Sequence, residues 1–438
     1  MKKGNYQFYM TGAVKLGVAY GVVSLIARWV TGNTILSSPE TLMKYGLTGV
    51  VGYSLMGSLG LILFGLLAKK IRAASDEHHT IGDFLHAKLS IAGYWYMVTI
   101  LMITSLYSLF IQVMGAGILL HLIYPVPVFY GLFIFLAICF VISGIGGMGW
   151  LSRMAGVNVT IIFGAVIIIP VYYFIHEGVH PVYEGIKLYH PYLLFYKNYD
   201  AVWFIFTAIL IGFGQVLIDC ATWQRVYIIR KEKVRATFTL AGLIWATIPL
   251  ALSTLVMIVL FGGGFKNIYT LMFELINELQ SSFLIVLFAL FCLSTISSAA
   301  SSELHAVAVL GVRNMIQLFR MLTEKEKWNW TYLMTGTICL VLLVIVSSFS
   351  PDPMELLFFF GNIYAAIIIP MIYIILSKGS VPNAISFASL AGIAGGFLVI
   401  PLIGSMQSIW VSFALPGLVC LFYRIYVLLF NRRRVYQE

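Results

Sequence analysis

Arg28 stands in the run SLIARWVTGNTILSS, residues 24–38, together with two threonines, an asparagine and a glycine, in a stretch otherwise apolar enough to cross a membrane. A guanidinium cannot shed its charge, so an apolar setting must supply it with acceptors. The natural partner is Glu303, within a second polar island, CLSTISSAASSELHAVAVL at 292–310. Hydroxyls spaced i, i+3, i+4 and i+7 share one helix face, so Ser294, Ser297, Ser298 and Ser301 can form an oxygen-rich stripe suited to a hard cation such as Na⁺. Small residues there also permit close helix approach, and their hydroxyls can bond their own helix carbonyls. A carboxylate fits that plainer reading poorly, because inside a span it is costly unless paired or functional. A third island, LIGFGQVLIDCATWQR at 210–225, carries Gly212, Gly214 and Gln215.

These residues need elements to hold them. The chain has 438 residues, 61% hydrophobic and 10% charged, with a mean hydropathy of +0.95. No water-soluble core of this length could absorb that composition. Apolar runs of helical span length recur, whereas a barrel would show short alternating segments, so the reading is an all-α polytopic membrane protein. Twelve spans are expected, at 13–36, 46–68, 90–122, 127–147, 151–176, 201–223, 236–262, 281–312, 331–349, 354–377, 384–404 and 408–430. Turn chemistry separates them, as in YPVP (124–127), SGIGGMG (143–149), SPDP (350–353) and KGSVPN (378–383). A short surface helix fits NIYTLMFELINEL in the loop 263–280, and so does an ordered turn.

Lysine and arginine set the orientation. With the N-terminus inside, Lys44, Lys187, Lys197 and Lys266 are the basic residues of the outer loops and Arg28 is intramembrane, which leaves 22 of the 27 Lys and Arg on the cytoplasmic side. Both termini are then cytoplasmic in a multi-pass cell-membrane protein. The formal charge of +10 resides in juxtamembrane clusters such as KKIR, RKEKVR and NRRR that face lipid head groups, and nucleic-acid binding is not needed to explain it. The opening MKKGNYQFYM is too polar for a cleaved signal peptide. The five cysteines lack metal-ligand spacing and read as small core residues. His78 and His79 read as loop residues, His305 as a packing histidine before a proton relay, and Arg153 as an interfacial anchor. Asp219 is expected to pair with Arg225 or to cap a helix.

Secondary transporters built from inverted repeats break the first helix of each repeat near mid-membrane, exposing backbone groups. Thr31, Gly32, Asn33 and Thr34 in span one and Gly212, Gly214 and Gln215 in span six match such breaks, five spans apart and therefore in opposite directions. Arg28 has three readings on this plan: contact with an anionic or carbonyl-bearing substrate, replacement of a coupling ion, or a lock onto Glu303. HExxH, GxSxG and paired intramembrane aspartates are absent, which argues against an enzyme. A channel fits two interrupted helices poorly, and a membrane sensor without turnover would need a separate, unidentified protein partner.

STISSAASSEL in span eight, DCATWQR closing span six, MKYGLTGVVGY entering span two and TIGDFL after it resemble the solute:sodium symporter family, and within it the urea active transporter subgroup. The resemblance implies a LeuT-type 5+5 inverted-repeat core with repeats at 1–176 and 201–377 and two extra helices in 384–438. It implies a symporter for a small polar solute, urea or a related small amide or amino acid, working by alternating access without a bound cofactor. A sodium ion would sit between the carbonyls of Ala27 and Val30 and the hydroxyl of Ser298, supported by Thr295 and Ser297, or by Ser294 and Thr295 in the register one turn earlier. Substrate would meet Arg28, Trp29, Thr31, Asn33, Thr34, Gly212, Gly214 and Gln215.

Two departures bear on coupling. The family often has an aspartate in core helix five near that sodium, but LSRMAGVNVTIIFGAVIIIP has no acid. The other is Arg28: at ~4 Å and an effective dielectric of ~20 its repulsion of Na⁺ would be about 4 kcal/mol, unless an anion intervenes. A proton-coupled or uncoupled carrier, with Arg28 in place of the sodium ion and Glu303 as its partner, is therefore an alternative.

Overall fold

The computed structural model describes residues 6–12, 15–75, 77–123, 127–261, 271–279, 281–349 and 351–435. Its helices are, in order, α1 (Tyr6–Thr11), α2 (Val18–Trp29), α3 (Gly32–Ala74), α4 (Ile81–Lys88), α5 (Ile91–Ile123), α6 (Val128–Phe140), α7 (Gly147–His176), α8 (Val179–Tyr189), α9 (Tyr199–Ile218), α10 (Cys220–Ile228), α11 (Val234–Trp245), α12 (Thr247–Leu260), α13 (Leu271–Glu278), α14 (Ser282–Asn314), α15 (Glu324–Ser348), α16 (Pro353–Leu376), α17 (Asn383–Ile403) and α18 (Ser405–Val435). Part of the surface-helix expectation is α13; its first residues, and most of YPVP and the Ser of SPDP, lie outside the described residues.

Ten continuous stretches among the described residues are long and apolar enough to span a bilayer. Two of them fold back at a glycine with positive φ. Gly46 (φ 67°) divides α3, and Gly147 (φ 62°) divides 128–176, next to the π-helical turn Val141–Gly146. Only glycine adopts that geometry without strain, and the turns bring the crossings to twelve, with α2 and the first part of α3 forming one. The protein is a multi-pass membrane protein of helical class.

The first crossing is interrupted by its own sequence chemistry. α2 stops at Trp29, Val30 is extended (φ −82°, ψ 113°), and Thr31 (φ −129°, ψ 168°) starts α3 as a capping box with Thr34. Each threonine hydroxyl accepts the other's amide at 3.2 Å, which satisfies donors a helix start leaves open. The amide of Gly32 donates to Gln112 Oε1 at 2.6 Å, and Trp245 Nε1 donates to the Trp29 carbonyl at 2.8 Å. In hydrocarbon such freed groups must find protein partners.

The sixth crossing breaks at Asp219 (φ −72°, ψ 106°), whose carboxylate accepts the Thr222 amide at 2.7 Å and so caps α10. Trp223 Nε1 closes the Leu217 carbonyl at 2.8 Å. The break falls one turn after Gly212, Gly214 and Gln215, where the sequence placed it; those residues lie in continuous helix α9. Their glycines serve close approach instead. A Cβ on Gly212 would stand 2.2 Å from the Met56 carbonyl of α3, and one on Gly214 2.3 Å from the Tyr364 carbonyl of α16.

Candidate functional site

The two interruptions meet at Arg28. Its side chain is 3% exposed, and Nη2 donates to Glu303 Oε2 of α14 at 2.5 Å, to Asp219 at the α9–α10 break, and to Ser108 Oγ of α5 at 3.4 Å. Asp219 also accepts from the Thr222 hydroxyl, which in turn accepts from Trp29 Nε1 at 2.9 Å. A bonded path therefore runs from one helix break to the other. Asp219 does not take Arg225 as its hydrogen-bonded partner: that guanidinium is spent on Ser24 O and Oγ (3.0 and 3.1 Å), Ala221 O (2.9 Å) and Ser302 Oγ (3.1 Å). Two buried guanidiniums and two buried carboxylates thus stand close to neutrality as a group, which removes the unopposed repulsion expected of Arg28 alone.

Arg28 Nε is buried and has no acceptor among the described residues. Beside it lies a cavity of about 20 Å³, lined by Arg28, Trp29, Thr31, Asn33, Thr34, Tyr53, Met56, Gly57, Gly212, Gln215 and Trp245. Seven of the eight residues expected to meet a solute are brought together there. Gly214 is the exception, because it faces α16. Tyr53 and Trp245 were not anticipated; their rings lie 6.2 Å apart and stacked, the Tyr53 hydroxyl donating to the Asn33 carbonyl at 3.2 Å. The bond of Trp245 to the Trp29 carbonyl, freed at the break, becomes visible only once the break is located. The wall offers neutral donors and acceptors, aromatic faces and one cation, with no carboxylate.

A second, smaller space of about 10 Å³ lies across Gln215, bordered by Thr104, Ser105, Ser108, Gln215, Ile218, Asp219, Glu303 and Tyr364. Both spaces hold about one water molecule, so admitting a larger solute requires their walls to separate.

The span-eight hydroxyls divide. Ser294 donates to Asn158 Oδ1 of α7 at 2.8 Å, and Ser297 to the Ser294 carbonyl at 3.2 Å. Thr295 Oγ1 and Ser301 Oγ are buried without a partner among the described residues, and Ser298 is buried on the same helix. The Thr31 amide turns to Thr34 instead of continuing the helix, which releases the Ala27 carbonyl. Among the described residues no group of three or more His, Cys, Asp and Glu side chains is placed to hold a metal ion. His305 lies between Gln224 Oε1 (3.2 Å) and the Tyr9 carbonyl (3.1 Å), its ring 4.7 Å from that of Tyr9, and so fastens α1 beneath the bundle.

Twelve crossings with the first and sixth interrupted, and polar groups gathered at both interruptions, define a LeuT-type transporter fold. The chain superposes on a Na⁺-coupled sialic acid symporter in a substrate-bound outward-open state with a TM-score of 0.74, at 12% identity, covering 95% of this chain and 92% of that one. It also superposes on a nucleobase-cation-symport-1 family transporter in a closed conformation with bromovinylhydantoin bound, with a TM-score of 0.59 at 14% identity, covering 94% and 93%.

In sequence the chain is similar to the urea-proton symporter DUR3 of Oryza sativa subsp. japonica, 20% identical over 275 residues, which is 55% of this chain. It is also similar to the probable urea active transporter 1 of Schizosaccharomyces pombe, 21% identical over 336 residues, 68% of this chain. These matches span 37% and 49% of the relatives' own lengths. No family model matches the chain. The resemblance to solute:sodium symporters and their urea transporters, first read from short motifs, holds in sequence and in fold, and the proteins compared are transporters, not enzymes.

Proposed function

We propose that the protein is an ion-coupled secondary transporter of a small polar solute, urea or a related small amide or amino acid, working by alternating access. The observation that carries this is the small cavity at the first helix break, whose polar wall includes Arg28, a side chain with donors left open. Urea presents a carbonyl acceptor and four N–H donors. The open N–H donors of Arg28 suit the carbonyl, and Asn33, Thr31, Thr34 and Gln215 suit the donors. Opening and closing would move the halves 1–176 and 201–377 against each other, with 384–438 as an accessory pair of helices and both termini in the cytoplasm.

For the coupling ion, the released Ala27 carbonyl, the Val30 carbonyl and the Thr295 and Ser298 hydroxyls support Na⁺, now that Asp219 and Glu303 offset Arg28. A second reading is H⁺ coupling through the Arg28–Glu303 pair. It is favoured by the direct contact of that guanidinium with two carboxylates and by the likeness to a urea-proton symporter.

Uptake of labelled urea into proteoliposomes under an inward Na⁺ gradient, an inward H⁺ gradient or neither tests both readings. Saturable uptake driven by one gradient is expected. Absence of saturable uptake in all three removes urea and moves the search to other small solutes or to a sensor without turnover.

A further inference from the structure

Far from the site above, at the end of the bundle where α3 and α16 finish, a concavity of about 500 Å³ opens between three separate segments. The last turn of α3 contributes Lys70, α4 contributes Lys88, and the residues after α16 contribute Lys378, with His78 between them. Ala73, Phe84, Ala87 and Ile375 form an apolar floor.

The walls are fixed to one another. Lys88 Nζ donates to the Ser377 carbonyl at 2.7 Å, and the Val381 amide donates to the Lys88 carbonyl at 2.8 Å. An excess of lysine on this side of a membrane is ordinary topology, but it does not account for three lysines from distant parts of the chain around one hollow. Nor does it explain why the described lining gives them no counter-charge. Elsewhere at this end Arg313 pairs with Asp83, Arg320 with Glu326 and Lys327 with Glu324. Lys88 has a neutral carbonyl, Lys70 and Lys378 have no partner among the described residues, and among the described residues no carboxylate lines the hollow, exposed Glu77 beside His78 standing outside its lining. Asp83, the acid of α4, is taken by Arg313, Asn314 and the amides of His79 and Thr80.

His78 lines the hollow as well. Its Nδ1 is buried without a partner among the described residues, and its ring is held edge-on by Phe84 and Tyr227. Burial holds that imidazole below its usual pKa, so it is neutral at pH 7 until an anion favours its charged form.

We propose that this hollow binds a phosphate group, held by Lys70, Lys88 and Lys378 with His78 as a fourth donor. Three ammonium groups and an imidazole match a compact, multiply charged oxyanion, and charge-assisted bonds to it are the strong kind. The phosphate belongs either to an anionic phospholipid, whose glycerol and acyl chains would lie on the apolar floor, or to a soluble phosphate compound.

The test uses the purified full-length protein and does not depend on transport. Thermal unfolding is followed in neutral detergent against inorganic phosphate at constant ionic strength, and in nanodiscs of phosphatidylcholine with or without phosphatidylglycerol. The double variant Lys70→Gln/Lys378→Gln, at two exposed and unpartnered positions, is compared with Lys69→Gln/Lys325→Gln, an equal charge change outside the hollow. Stabilisation of the wild type, with an apparent affinity weakened about tenfold or more in the first variant and unchanged in the second, is expected. Response to inorganic phosphate alone assigns a soluble ligand, and response to phosphatidylglycerol alone a lipid head group. No stabilisation by either, or equal weakening in both variants, overturns the site.

Discussion

Nη2 of Arg28 serves three acceptors on three different elements, while Nε serves none. This division makes the side chain both a fastener and an offered donor, and two substitutions separate the roles. Arg28→Ala leaves Asp219 and Glu303 buried and facing each other without their cation, a loss of about 3–5 kcal/mol. Purified Arg28→Ala is expected to unfold well below the wild type, and adding Glu303→Gln should recover part of the difference. Arg28→Lys keeps a charge for the carboxylates but removes the planar fork and with it the Nε–H donor. On the proposed function, that variant should stay folded and lose most of the urea uptake. Uptake at the wild-type level in Arg28→Lys would take Arg28 out of substrate recognition and leave it a fastener alone.

Helix α9 shows what a glycine in a span can mean. Gly212 faces the backbone of α3 and Gly214 that of α16, so α9 is wedged between two helices with backbone against backbone. Gly214→Ala would drive a methyl into the Tyr364 carbonyl and force α9 from α16, at about 1–3 kcal/mol. Gly156→Ala in α7 meets nothing within 4 Å and gains helix propensity of up to ~1 kcal/mol. Thermal unfolding of the two variants should therefore shift in opposite directions; a harmless Gly214→Ala would mean that the two helices are not in tight contact. This ambiguity set the limit of what the sequence could reveal. The break at Val30–Thr31 was legible because the polar run Thr31 to Thr34 interrupts an apolar span and is matched by a second island five spans on. The second was placed a turn early because glycines signal interruption and close approach alike, while Asp219, expected to pair with Arg225 or to cap a helix, does cap α10 but was not tied to the break. Glu303 was legible as a partner of Arg28, since intramembrane charges must pair. Asp219 was not, because that contact exists only once the two breaks are apposed. Ser294 and Ser298 were inseparable by spacing, and only the neighbouring Asn158 shows that Ser294 is already committed.

At the scale of the whole molecule the unequal distribution of basic residues becomes an arrangement in space. Lys187 lies on α8, an exposed helix after the fifth crossing, and Lys325 lies at the start of α15, beside the segment that α1 packs against. If lysine and arginine govern insertion, these positions are on opposite sides of the membrane, Lys187 outside and Lys325 with the bulk of the cations inside. The molecule lends itself to direct measurement, because all five native cysteines are buried and unpaired, which keeps background labelling by a water-soluble maleimide low. Lys187→Cys is expected to react in intact cells and Lys325→Cys only after permeabilisation. The reverse pattern would put the cation-rich face, and the phosphate hollow with it, outside the cell. It would also turn alternating access around, so that the α3–α16 end becomes the entrance for solute.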